Sequence, residues 1–336
     1  MATMDAFESD AFNALEMTAA INKQDFLPSM LGDMGLFEVR NVRTDKIAVE
    51  EQDSTLSLVQ TSATGAPPEQ DQRERRVIRD FRVVNLAQGD TIYADEIQGI
   101  RAFGSESELM ALQQEIARRQ NRMRRNIELT WENMRLGAVQ GIVTDADGTT
   151  LYNFFDEFNV TQPAEINFAL GTDSTDVQSK AAQVVRAMMD NAKGAWTPQT
   201  QVVGLASDSF FDALVSHPKV REAYLNQQSQ FLRQNTAYLS FSFGGIQWVN
   251  YRGTDDGSTV AVGADKVKFF PRNAPGAFEV AFAPYPNEDF ASTPGQPLYS
   301  ILGRDMQRRL WVRPELYSRP LFYPTRPLML QQGRRA

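Results

Sequence analysis

The stretch "SESELMALQQEIARRQNRMRRNIELTWENMRLGAVQG", residues 105 to 141, has no proline and no glycine before Gly137. Ser105 followed by Glu108 spells a capping box, and Gly137 and Gly141 mark a stop. Leu109, Leu112, Ile116, Met123, Ile127, Met134 and Ala138 recur at spacings of three and four, interrupted by Gln120 and flanked by Trp131. The spacing predicts one helix of about 33 residues, roughly 50 Å long at 1.5 Å per residue. Any fold for this chain must accommodate a rod longer than one compact domain usually needs. A coiled coil and a single helix lying across a sheet both fit the imperfect heptads.

The segments before the helix read differently. Residues 1 to 45 carry Asp5, Glu8, Asp10, Glu16, Asp25, Asp33 and Glu38 against few bases, with Phe7, Ala11, Ala14, Leu15 and Ile21 near helical spacing. This is an acidic, weakly amphipathic segment that suits a surface helix on the same chain or an arm docked on a neighbour. "TDKIAVEEQDSTLSLVQTSATG" and "RVIRDFRVVNL" then predict two strands joined by a long polar tip around Gly65, Pro67 and Pro68. A short strand and a turn at Gln88-Gly89-Asp90 precede the helix.

After the helix, "IVTDADGTTLYNFFDEFNV" is a strand, an Asp-Gly turn and a strand. "STDVQSKAAQVVRAMMDNAKG" is a capped amphipathic helix with Val184, Val185, Met188 and Met189 facing inward and Gly194 as its stop. "TQVVGLASDSFFDALVSHPKV" is a buried strand entering a helix capped by Ser207 or Asp208. "LSFSFGGIQWVNYRG" is a Gly-Gly hairpin, and "VKFFPRNAPGAFEVAFAPYPN" supplies two strands around a Pro-Gly loop. Helices mixed with mainly antiparallel strands predict an α+β fold, and 336 residues suit about two domains.

Composition narrows the function classes. The formal charge of -8 weighs against gripping nucleic acid through the net field. With no cysteine there is no thiolate nucleophile and no Cys-ligated metal. No phosphate loop and no G-x-S-x-G elbow occur. No signal peptide and no long apolar run are seen, so no membrane partner is expected. The single histidine, His217 before Pro218, reads as a capping or surface residue. Asp145 and Asp147, like Asp255 and Asp256, sit beside glycine in turns where aspartate is favoured for backbone reasons. No catalytic residue, metal site or cofactor is expected. An enzyme with a cryptic carboxylate site at Asp255 or Asp256, and a nucleic-acid-binding module built on helix arginines, stay as alternatives.

The basic residues Arg118, Arg119, Arg122, Arg124 and Arg125 can line one side of the long helix. Because Glu106, Glu108, Glu115 and Glu128 are close by, intersubunit or solvated ion pairing is favoured over nucleic acid. The charge face is read as Arg118, Arg119, Arg122 and Arg125.

The Arg-rich "ARRQNRMRRNIELTWENMRLGAVQG", the "GIVTDADGTTLYNF" hairpin, "KAAQVVRAMM", "VVGLASDSFFDALVSHPKVREAY" and the closing "ELYSRPLFYPTRPLML" stand in a telling order. Together they resemble the major capsid proteins of tailed phages, and within them the lambda-type major capsid protein E family. The resemblance covers nearly the whole chain. It implies the Hong Kong 97-type (HK97-like) capsid fold, with residues 1–45 as N-terminal arm and 46–95 as an extended β-hairpin loop. Residues 96–165 and 295–336 would form the peripheral domain with its spine helix, and 166–294 the axial domain.

It further implies self-assembly into an icosahedral head of hexamers and pentamers around double-stranded DNA held without sequence-specific binding. A scaffold protein, a portal and a decoration protein are expected partners, with assembly in the host cytoplasm and residence in the virion. Intersubunit contacts are expected from Pro67, Pro68, Glu69, Asp71, Arg73, Glu74, Arg75, Arg76, Arg79 and Asp80 on the loop. Phe7, Phe12 and Leu15 are expected to make contacts from the arm. Some capsids of this fold join subunits covalently through a Lys on the extended loop. This chain has no Lys between Lys46 and Lys180, so a non-covalent shell is expected.

Overall fold

The computed structural model describes residues 30–52, 76–93, 96, 108–226, 240–252, 260–290, 293–308 and 310–336. One turn of helix, α1 (Met30–Asp33), leads to strand β1 (Glu38–Asn41). β2 (Lys46–Gln52) and β3 (Arg76–Arg82) form a ribbon, followed by β4 (Leu86–Gly89) and β5 (Ile92–Tyr93). The long helix is α2 (Glu108–Gln140). Next come the hairpin β6 (Ile142–Thr144) and β7 (Thr150–Asn153), the turn α3 (Phe154–Glu157) and β8 (Ile166–Asn167). Helix α4 (Val177–Asp190), β9 (Gln201–Ala206), α5 (Asp208–Ser216) and α6 (Pro218–Asn226) follow. The rest is strand: β10 (Ser240–Phe243), β11 (Ile246–Asn250), β12 (Lys266–Arg272), β13 (Phe278–Phe282), β14 (Tyr299–Arg304), β15 (Trp311–Ser318), β16 (Pro320–Pro324) and β17 (Gln331–Arg334).

Helix α2 lies across β6, β15 and β16 and is no coiled coil within the chain. Its inner face buries Ile116, Met123, Ile127, Trp131, Met134 and Ala138, the predicted stripe. The side chains of Leu109 and Leu112, and Ser105 of the expected capping box, lie outside the described residues. Gln120, the break in that stripe, donates through Nε2 to Ser300 Oγ at 2.8 Å, so the polar position is matched by a polar partner in β14. The same core takes in Ile47, Val49 and Phe81 from the ribbon and Phe282, Leu316 and Tyr323 from the sheets.

The pairing joins distant parts of the sequence. β1, β13 and β16 make one three-stranded sheet, with β1 parallel to β13, and β14, β15 and β4 make another sheet, to which β5 adds through β15. A six-stranded sheet runs in the order β10-β11-β9-β12-β17-β8. The division expected at 294/295 does not follow this pairing. β13 precedes that boundary yet pairs with β16, and β17 follows it yet pairs with β12. A turn at Pro327–Met329 re-aims the chain between β16 and β17, fixed by burial of Pro327 and Met329. Residues 30–45, expected within the arm, are likewise built into their own chain through β1.

The six-stranded sheet packs α4 and α5 over an aromatic cluster. Phe168 meets Phe210 and Trp248 edge-on at 5.6 and 5.7 Å, and Trp248 meets Phe269 at 5.4 Å. In α4, capped by Asp176 accepting from the Ser179 amide, Val177, Ala181, Val184 and Met188 are buried. Met189, expected inward, is 47% exposed, because it lies about 100° around the helix from Met188. The helix stops at Asn191 rather than at Gly194. The β10–β11 hairpin turns on Gly244 and Gly245, both at positive φ, as its sequence requires.

Gly137 gives a local test. Helix α2 comes so close to β6 that a Cβ here would sit 2.8 Å from Val143 Cα and 2.9 Å from Ile142 O. In an open helix Gly→Ala gains about 1 kcal/mol. Here the obstruction is backbone, and overpacking costs about 1–3 kcal/mol. Gly137→Ala should therefore lower the urea unfolding midpoint of the subunit; a raised midpoint would mean that β6 yields freely.

Candidate assembly surfaces

The β2–β3 ribbon is anchored through one face. Ile47, Val49 and Phe81 point into the core, and Phe81 lies 5.9 to 6.4 Å from the rings of Tyr152, Phe154, Phe158 and Tyr323. Tyr152 Oη accepts from the Arg82 amide at 3.1 Å and donates to the Arg82 carbonyl at 2.7 Å. Arg79, expected to reach a neighbour, acts inside its own chain. Its guanidinium donates to the Glu157 and Phe158 carbonyls at 2.7 and 3.2 Å, at the end of α3, and lies 5.2 Å from the Phe158 ring. Asp80, by contrast, is exposed.

Pro67, Pro68, Glu69, Asp71, Arg73, Glu74 and Arg75 lie outside the described residues, as do Phe7, Phe12 and Leu15. Arg76 opens β3 opposite Gln52, its side chain outside the described set.

Helical geometry separates the five arginines between positions 118 and 125 of α2. Arg124 points inward, 4% exposed, and its Nε donates to buried Glu128 at 2.8 Å. Its inclusion with the surface arginines is corrected. Arg119 binds Asp90, Glu96 and Glu115 at 3.1, 2.7 and 2.9 Å and also donates to the Thr91 carbonyl. It ties the β4–β5 segment to the helix within the chain, while still lining the same depression as Arg118, Arg122 and Arg125. Arg118 reaches Glu115 at 2.8 Å from an exposed position. Arg122 and Arg125 are exposed and form no ion pair among the described residues. Asp90, Arg118, Arg119, Asn121, Arg122 and Arg125 line an open depression of about 560 Å³.

A third surface was not read from the sequence. At the β14–β15 turn, Asp305 accepts from the amides of Gln307, Arg308 and Leu310 at 3.0 to 3.3 Å. These bonds hold its carboxyl below the ordinary value. The tip they fix holds out Met306, 79% exposed, and Leu310, 53% exposed, with Tyr93 on the paired strand also exposed. The available signal was the short "RDMQRRLWVR", in which apolar residues interrupt a basic run.

Two carboxylates at these surfaces give an acid response. Burial alone would raise the Glu115 carboxyl, but hydrogen bonds from Arg118 and Arg119 outweigh it and hold it below 4.5. The Arg319 hydrogen bond at 2.7 Å holds Asp45, at the foot of the ribbon, below 3.8. Both values are depressed in the folded state. Their stabilisation is therefore complete above the unfolded values and lost as pH falls through the folded ones. The urea midpoint should hold steady from pH 7 to 5 and drop below about 4.5; a midpoint flat down to pH 3 would contradict these pairs.

The remaining candidates separate plainly. His217 is not at the surface: it is 2% exposed, ends α5, and its Nε2 lies 3.1 Å from the Thr172 carbonyl. Asp145 and Asp147 accept from the Ala146 and Thr149 amides within their turn, the backbone role expected of them. Asp255 and Asp256 lie outside the described residues. Among the described residues no group of three His, Asp or Glu side chains is placed to hold a metal ion, and no helix is long and apolar enough to cross a membrane.

Comparison with known proteins places the same elements in company. A family model described as phage major capsid protein E matches residues 13–334. The major capsid protein of Pseudomonas phage KPP10 is 29% identical over 315 residues, covering 86% of this chain and 88% of the relative. That of Salmonella phage Felix O1 (isolate Felix O1-VT1) is 26% identical over 361 residues, with 96% of each covered. Among solved structures, a chain of the bacteriophage PhiM1 mature capsid superimposes with a TM-score of 0.54 at 11% identity, covering 94% of this chain and 89% of that one. At that identity the likeness speaks to the fold alone.

Proposed function

Since the chain belongs to the phage major capsid protein E family and is a major capsid protein of a tailed phage, we propose that it builds its shell as non-covalent hexamers and pentamers joined by the loop beyond the β2–β3 ribbon. The fold is the Hong Kong 97-type capsid fold, and the assembly is one of many copies of one chain. The observation that carries the loop contact is the anchorage of its base. Ile47, Val49 and Phe81 fix the ribbon in its own core, so the two strands that flank residues 53–75 form a firmly held root. A rigid root lowers the ordering entropy lost when the loop meets a neighbour.

The mixed charges of Glu69, Asp71, Arg73, Glu74, Arg75 and Arg76 suit a protein surface rather than a phosphate backbone. The Met306–Leu310 tip is a second contact, since an exposed methionine and leucine on a pre-formed turn fit an apolar recess of another subunit. Contacts of modest strength become a stable shell because each subunit makes several at once.

Assembly in the host cytoplasm, a scaffold, a portal and a decoration protein, and packaged DNA inside the shell complete the reading. The proposed division follows the sheets: a peripheral part around α2 and an axial part on the six-stranded sheet. No catalytic role is assigned.

Expression of the chain alone, sizing and negative-stain microscopy test this reading. Shells, tubes or capsomers are the expected products, and boiling them in SDS should release single chains. A compact monomer would contradict self-assembly, and a ladder of covalent oligomers would contradict the non-covalent shell.

A further inference from the structure

The β6–β7 hairpin lies on the same face of α2 as the open arginines. Asn133, in phase with Arg122, Arg125 and Leu129, donates through Nδ2 to the Thr144 carbonyl at 3.3 Å, and Gly137 lies against Val143. β6 therefore runs back along α2, and the turn after it heads toward the arginine end of the helix. The turn is stiff. The Asp145 amide donates to the Thr149 carbonyl at 2.8 Å, the Gly148 amide to the Asp145 carbonyl at 3.0 Å, and Asp147 accepts from the Thr149 amide at 2.8 Å. The Thr149 amide and hydroxyl hold the Asp147 carboxyl below its ordinary value, so it presents a persistent negative charge. Arg122, Arg125, Asp145 and Asp147 are all exposed, and none of them forms an ion pair among the described residues. One face thus carries, in line, an open basic depression, Leu129 at 40% exposure and a pre-formed acidic turn. The chain does not close these two charged halves on each other.

We propose that the depression receives the β6–β7 turn of a second copy, reciprocally across a two-fold axis, so that Asp145 and Asp147 of each copy meet Arg122 and Arg125 of the other. Charge complementarity selects the occupant, since guanidinium forks match carboxylates. Position selects the symmetry. With both halves side by side on one face, two copies set antiparallel satisfy both at once, which is the self-complementary pattern of an isologous contact. Leu129, between the halves, is covered in the same step. Duplex DNA suits the depression less well, because Asp90 lines it and the acidic turn flanks it. A two-fold contact closes on two copies and builds no ring. Resting on the assembly of many copies proposed above, the pairing therefore joins neighbouring hexamers and pentamers rather than subunits within one.

The absence of cysteine allows a test that leaves every charge in place. Asn121 lines the depression and Ala146 stands between the two aspartates, both of them exposed. Asn121→Cys and Ala146→Cys are combined in the full chain, and isotopically heavy and light subunits are mixed and mildly oxidised. Within one chain the positions are too far apart for a disulfide. Position 121 lies about 18 Å along the axis from Asn133, two residues of strand recover about 7 Å of that, and a disulfide spans at most about 7 Å between Cα atoms. Mass spectrometry should find 121 joined to 146 in pairs of mixed as well as matched isotope, and non-reducing gels should show covalent dimers. Matched pairs alone would place the contact within one chain, a ladder beyond the dimer would break the two-fold symmetry, and absence of the link would remove the contact; each overturns the proposal.

Asp145→Asn with Asp147→Asn, in the same chain, keeps the oxygens that accept the turn amides and removes the charge. The initial rate of linking should fall about fivefold, what two exposed ion pairs supply. An unchanged rate would refute pairing by charge. Shells that form without the link would leave the assembly reading standing and this pairing fallen, and linked dimers that build no shells would do the reverse.

Discussion

Subunits carrying Arg75→Glu together with Arg76→Glu should fold normally and yield essentially no shells. Position 76 lies at the outer end of the ribbon, opposite Gln52, while the anchoring side chains Ile47, Val49 and Phe81 sit toward its inner end. The reversal therefore leaves the core untouched and changes only what the loop presents. A like-charge contact costs several kcal/mol where opposite charges should meet. Repeated at every copy, that cost should reduce particle yield by more than about a hundredfold. The measurement is particle yield by sizing and microscopy beside the circular dichroism melt of the same subunit. Normal shells would sink the loop as an intersubunit contact, and a lost melting transition would show that the arginines serve the fold.

Glu132→Ala should produce the largest loss of stability, and the shell-deficient double variant supplies a subunit in which to measure it. The Glu132 carboxylate accepts from the Leu31 amide at 2.8 Å and from Tyr251 Oη at 3.2 Å, and Arg135 Nη1 lies 3.3 Å away. It thereby joins α1, the end of β11 and α2 at one buried point. Burial, with the carboxylate's charge and hydrogen bond, pushes the Tyr251 phenol well above its ordinary range, so it stays a donor at every physiological pH. Truncation leaves a buried amide and a buried hydroxyl without their acceptor, a loss of roughly 3–5 kcal/mol for a broken buried charge network. Glu132→Gln retains an acceptor oxygen and should lose less than half as much. Equal urea midpoints for the two variants would show that the carboxylate is not the joint described.

What could be read from the sequence divides along physical lines. Helix α2 was legible because 33 residues of one period leave no competing reading, and the β2–β3 and β10–β11 strands because alternation and Gly-Gly are local signals. The partnership of β13 with β16, and of β17 with β12, is non-local, and no local period encodes it. The arginines show the same limit. Spacing alone puts Arg118, Arg122 and Arg125 on one face, but that Arg119 is held by Asp90, Glu96 and Glu115 depends on where the β4–β5 segment returns. His217 was legible as the cap that ends α5 but not as a buried residue, because a histidine before proline says where a helix ends and nothing about what covers it.

The place of β17 sets a clock. β8 reaches the rest of its sheet only through β17, which is synthesised after every other strand of that sheet. At typical translation speeds the ribosome needs on the order of 10 to 30 s to pass from one to the other. For all of that interval β8 has no partner in its sheet, and once β12 is made its edge stays open until β17 arrives, so the surfaces that depend on the finished sheet form last.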